Sequence, residues 1–191
     1  MSGVVKGKRK INKDFETITH ANEMRYAFTH LLFRDFGTHN KTDTVRRKYR
    51  VHLEEEVPQH KIEWLLEDER DVITHLLAEL CDNLTGANSI YPITWEELAL
   101  RRKYQDEAIA SCFKIKTELQ YIITIFNVNV DKYIQYSDML DYEVTLIKGW
   151  RKANSKYEAK IIEEEVRRNN LIEKYIKDKI KEELNNEESE V

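Results

Sequence analysis

Cysteine, proline and glycine are all scarce in this sequence, whose 191 residues hold two Cys, two Pro and five Gly. Cys81 and Cys112 both fall inside helical patterns and lack C-x-x-C spacing, so they are expected as two reduced core thiols, not as a disulfide or a metal site. The shortage of Gly and Pro points away from β structure. No apolar run reaches the roughly 20 residues that span a bilayer, and the basic start (Lys6, Lys8, Arg9, Lys10) is not followed by an apolar signal core. A cytoplasmic protein without membrane contact is expected.

Catalytic motifs are missing too. The six histidines, His20, His30, His39, His52, His60 and His75, form no H-x-x-x-H or H-x-x-E-H pair that would set two ligands on one helix face. The Glu-x-x-His motif needed by di-iron bundles does not occur, nor does a Gly-rich phosphate loop or a G-x-S-x-G elbow. The expectation is therefore no enzyme, no metal and no cofactor.

What the chain does hold is charge and helix formers. Asp, Glu, Lys and Arg make up 35% of the residues, and Ile, Leu, Glu and Lys dominate, as in long helices. The net charge of −4 conceals an asymmetry: residues 1–50 carry 12 Lys and Arg against 5 Asp and Glu, while the rest carry 19 against 30. A single pI therefore says little about partners.

Apolar spacing predicts four main helices. The first runs from Asp14 to Phe36, with Phe28, Leu31, Leu32 and Phe36 on one face and Gly37 as the C-terminal stop. Residues 38–57 form an inserted polar segment, either a short helix or an ordered loop. Pro58 suits the first turn of the second helix, whose stripe from Ile62 to Leu84 stops at Gly86. Thr94-Trp-Glu-Glu97 is a capping box, with Ile93 and Leu98 placed for a hydrophobic staple, and opens the third helix. Its core face, Leu98, Ala108, Cys112, Ile115, Leu119, Ile122 and Phe126, steps by threes and fours like a bundle seam. Asn127 to Asp131 can only reverse the chain, with Asn129 or Asp131 as N-cap, so the fourth helix returns along the third.

The fourth stripe, from Tyr133 to Trp150, continues through Tyr157 and Ile161 to Leu184. An unbroken helix from Val130 to Leu184 would be about 80 Å long, against about 35–50 Å for the others, so the chain must leave the bundle near Ser155. The expected fold is all-α, an antiparallel up-down four-helix bundle with a long charged C-terminal helical extension. Residues 1–13 are a basic arm, 14–155 the bundle and 156–191 a charged, partly helical tail, formed alone or on a partner.

The basic clusters remain: Lys6 to Lys13, Arg46-Arg47-Lys48-Tyr49-Arg50, Arg101-Arg102-Lys103-Tyr104 and Lys148-Gly149-Trp150-Arg151-Lys152. The last three mix cations with an aromatic; each cluster taken singly reads first as a solvated helix face pairing with Glu and second as a candidate phosphate contact. Arg46 to Arg50 has the least core duty and is the best single candidate.

Several of these stretches also carry a resemblance. Arg101-Arg-Lys-Tyr-Gln-Asp-Glu-Ala-Ile109, Glu118-Leu-Gln-Tyr121, Asn129-Val-Asp-Lys-Tyr133 and Leu146-Ile-Lys-Gly-Trp-Arg-Lys-Ala-Asn154 resemble the four-helix-bundle family of the accessory variability determinant (Avd) of diversity-generating retroelements and the proteins of rRNA intervening sequences. The likeness covers about 55 residues, Arg101 to Ser155, and more loosely Arg34 to Gly37 and Ala87 to Pro92. In its Gly-Trp ending, Gly149 would let a neighbouring helix approach, Trp150 would close the bundle's end, and Arg151 and Lys152 would emerge into solvent.

The resemblance implies a non-catalytic, homo-oligomeric accessory protein, pentameric by family likeness, that binds reverse transcriptase and structured template RNA. Arg46, Arg47, Lys48, Arg50, Arg101, Arg102, Lys103, Arg151 and Lys152 are the expected nucleic-acid contacts. The chain departs from the family in its added segments and its acidic total charge. The alternative is a regulatory or phage-associated protein-interaction adaptor that binds no nucleic acid and pairs its tail with a partner helix.

Overall fold

The computed structural model describes residues 13–38, 57–126 and 128–189. It is all-helical: α1 Lys13–Leu32, α2 Gln59–Ser89, α3 Trp95–Ile125, α4 Asp131–Lys152 and α5 Ser155–Ser189, with a short 3-10 turn at Asp35–Gly37. Helices α1 to α4 close a ring of neighbours, with α2 on α3, α3 on α4, α4 on α1 and α1 on α2, while α5 touches α3. One core runs through the ring, from Met24, Phe28 and Phe36 through Leu66, Ile73, Leu80, Cys112 and Ile115 to Leu140, Ile147 and Trp150. The segment 39–56 lies outside the described residues.

The expected first helix stops four residues early. α1 ends at Leu32, and Asp35, Phe36 and Gly37 all take left-handed backbone (φ 45°, 57° and 74°). This turn carries Phe36 back into the core, where it is fully buried. Two non-glycine residues in that region cost about 1 kcal/mol or more each. Three contacts hold them there: Tyr133 donates to the Phe36 carbonyl at 2.6 Å, Thr38 to the Asp35 carbonyl at 2.6 Å, and Arg70 to the Asp35 carboxylate at 3.0 Å. Gly37 supplies the third left-handed residue without a Cβ penalty.

Gly86 does not end α2, which runs through it to Ser89. A Cβ there would lie 3.3 Å from the Tyr104 ring, so this glycine is a close-approach point between α2 and α3. The capping box of α3 is present on both sides, Thr94 Oγ1 accepting from the Glu97 amide and the Glu97 carboxylate accepting from the Thr94 amide. Ile93 stays 68% exposed, and Leu98 packs instead with Tyr157 and Ile161 of α5. At the start of α4, Val130 occupies the cap position and Asn129 Oδ1 accepts from the Asp131 amide at 3.0 Å.

The continuous apolar pattern from α4 into α5 is interrupted at Ala153 and Asn154. Asn154 is fully buried, and its carbonyl accepts from Tyr157 N at 2.9 Å, starting the new helix. α5 is then 35 residues long, about 52 Å at 1.5 Å per residue. No helix among the described residues is long and apolar enough to cross a membrane.

Candidate nucleic-acid interface

The expected contacts do not form one surface. Arg46, Arg47, Lys48 and Arg50 lie outside the described residues. Arg101 is a correction to the sequence reading: it is 2% exposed and has no face to offer a phosphate. It occupies an alternating α3 position that turns inward because the C-terminal end of α2 is there to receive it. Its guanidinium donates to the Ala87 carbonyl at 3.0 Å, to the Ile90 carbonyl and to Asn154 Oδ1 at 3.2 Å. The first two acceptors belong to the end of α2, where carbonyls lack intrahelical partners and the helix dipole favours a cation.

The same guanidinium lies over the Trp150 ring, 4.9 Å from its centroid, and 5.4 Å from that of Tyr157. Asn154 in turn donates to Gln105 Oε1 at 2.8 Å. Arg101 thus ties the end of α2 to the end of α4 and the start of α5. Trp150 does close this end of the core, at 1% exposure. Gly149, in contrast, has no neighbour within 4 Å of a Cβ position, so it marks no close helix approach.

The remaining cations are on the surface. Arg102 pairs with Glu158, Arg151 with Asp106, and Lys103 with Glu107 at 3.7 Å. Lys152 is exposed, with no carboxylate partner among the described residues. Arg102, Lys103 and Asp106 line a shallow open groove along α3 together with Trp95, Leu98 and Ala99. Each paired cation offers a phosphate its charge only by giving up a carboxylate, and such exposed pairs are worth about 0–1 kcal/mol each.

Elsewhere in the core, His20 Nδ1 lies 2.6 Å from Glu143 Oε2, and burial pushes the Glu143 carboxyl above its usual range while His20 pulls it back. Glu69, with one carboxylate oxygen buried and unpartnered, is raised to about 7 by burial, then by Glu118 and Asp68. Burial likewise raises both thiols, Cys81 and Cys112, away from the reactive thiolate. Among the described residues, no group of three or more His, Cys, Asp or Glu is arranged to hold a metal ion.

Asn154, Gln105 and the His20–Glu143 pair had no motif to announce them. The only signal for Asn154 was its place at the end of the Gly-Trp stretch, in a helix too long to stay with the others. No protein-family model matches the chain, and neither a curated protein nor a solved structure matches it.

Proposed function

We propose that this protein is a non-catalytic accessory of a diversity-generating retroelement, a cytoplasmic scaffold that holds reverse transcriptase and structured template RNA during mutagenic cDNA synthesis. Its body is an antiparallel up-down four-helix bundle, α1 to α4, with α5 as a charged extension. Paired residues support that arrangement: Lys116 with Asp141 and Arg151 with Asp106 between α3 and α4, and His20 with Glu143 and Phe28 with Tyr136 between α1 and α4. In each pair of helices the numbers rise on one partner as they fall on the other.

The observation that carries the reading is the meeting of Arg101 and Gln105 with Trp150 and Asn154. These residues belong to the two longest stretches of the family resemblance, about 50 positions apart, and they act as one packing unit. A resemblance confined to surface charge would not require this. RNA contact falls to Arg102, Lys103, Arg151 and Lys152, together with Arg46, Arg47, Lys48 and Arg50. Assembly into a homo-oligomer, five copies by family likeness, would multiply these weak contacts.

Structured-RNA binding measured across salt tests this reading. With six or more charges engaged, affinity falls by orders of magnitude between about 50 and 200 mM salt. Absent binding, or binding indifferent to salt, removes the nucleic-acid role. Co-purification with a reverse transcriptase tests the other half.

A second reading, a protein-interaction adaptor without RNA affinity, is favoured by one observation. Arg102, Lys103 and Arg151 already hold Glu158, Glu107 and Asp106.

A further inference from the structure

α5 leaves the rest of the molecule after little more than three turns. Tyr157 and Ile161 are buried against Leu98, and Trp95 Nε1 donates to Glu165 at 3.0 Å, the last described hydrogen bond from α5 to another helix. The helix continues past that point to Ser189, and along α5 Ile162, Val166, Ile176 and Ile180 are each 50–53% exposed.

These four residues share one face. Ile162, Val166, Asn169, Glu173, Ile176 and Ile180 follow each other at steps of four, three, four, three and four, the heptad seam of a two-helix coil about 28 Å long. The seam is symmetric in chemistry: two aliphatic layers at each end and two polar residues in the middle. The positions flanking it are symmetric in the opposite sense. Glu163 and Glu165 border its first end, Lys177 and Lys179 its second, and the uncharged Asn170 and Ile172 its centre.

We propose that α5 pairs antiparallel with α5 of a second copy of this chain, about a two-fold axis beside Asn170 and Ile172. In that register Ile162 meets Ile180 and Val166 meets Ile176. Asn169 faces Glu173, so the one carboxylate in the seam has an amide donor. On the flanks Glu163 lies against Lys177 and Glu165 against Lys179, and the symmetry of the pair makes every contact twice.

The alternatives are penalised by the same residues. A parallel pair sets Glu173 against Glu173 within the seam and Glu158 against Glu163 beside it. Sliding the antiparallel pair by one heptad leaves Glu163 opposite Asn170 and removes both aliphatic end layers from register. The individual ion pairs are weak, but together they select orientation and register, which is the usual work of flanking charges in a coil. The inference uses α5 alone and is independent of the retroelement reading.

The test uses the full chain and two charge-reversed forms, Glu163→Lys/Glu165→Lys and Lys177→Glu/Lys179→Glu, with mass measured by light scattering. Each form alone places like charges on both flanks and is expected at half the wild-type mass. Mixed one to one they are fully complementary, and the wild-type mass returns. Reversed forms that keep the wild-type mass, or a mixture that stays at the halved mass, overturn the proposal. Neither outcome bears on RNA binding, which is measured separately.

Discussion

His20 of α1 and Glu143 of α4 meet at 2.6 Å across 123 positions of sequence, with the glutamate side chain fully buried and the histidine side chain 15% exposed. The second carboxylate oxygen of Glu143 has no partner, so His20 is what makes the buried acid tolerable. His20→Ala should cost about 2–3 kcal/mol in urea unfolding. Adding Glu143→Leu should recover most of it, because an apolar side chain needs no partner. A double variant no more stable than His20→Ala would show that the pair does not set this cost.

Glu69 gives a pH dependence. Burial, with Glu118 and Asp68 nearby, pushes its carboxyl up to about 7 in the folded protein from an ordinary 4.5, so between those values the folded state holds the extra proton. Stability from this group is therefore full below about 4.5 and is lost as pH rises to about 7. Glu69→Gln should stabilise the protein by about 1–2 kcal/mol at pH 8 and change little at pH 4. Thermal unfolding at the two pH values measures the difference; equal effects at both would contradict the assignment.

Arg101 should not tolerate its usual replacement. A lysine carries the charge but lacks the planar fork that reaches Ala87, Ile90 and Asn154 while covering Trp150. Arg101→Lys is expected to lose about 2–3 kcal/mol, with a change in Trp150 fluorescence, and a stability within 0.5 kcal/mol of wild type, on the order of surface substitutions, would argue against this role.

Gly149 is an exposed glycine inside α4 with open space around it. Gly149→Ala should stabilise by about 0.5–1 kcal/mol through helix propensity alone. A loss of stability would reveal a close neighbour that only glycine admits.

How legible these features were in the sequence follows from their physics. The capping box at Thr94 and the α3 core face from Ala108 to Phe126 rest on local spacing, and both stand where spacing put them. The two glycines exchanged roles: Gly86 reads as a stop yet lies against Tyr104, and Gly149 reads as a contact yet faces open space. A glycine's meaning depends on what approaches it, which one strand of sequence does not contain. The Arg-Arg-Lys run likewise divides, Arg101 inward and Arg102 and Lys103 outward, since adjacent residues on a helix point about 100° apart.

The sequence by itself determined that this chain is helical, where most helices begin, and which faces are apolar, because i, i+3 and i+4 periodicity and capping are short-range properties. Only the tertiary structure decided that Arg101 belongs to the core, that Phe36 re-enters it through a left-handed turn, and that His20 serves Glu143. Those assignments depend on which groups are deprived of water together, and burial is a property of the packed molecule.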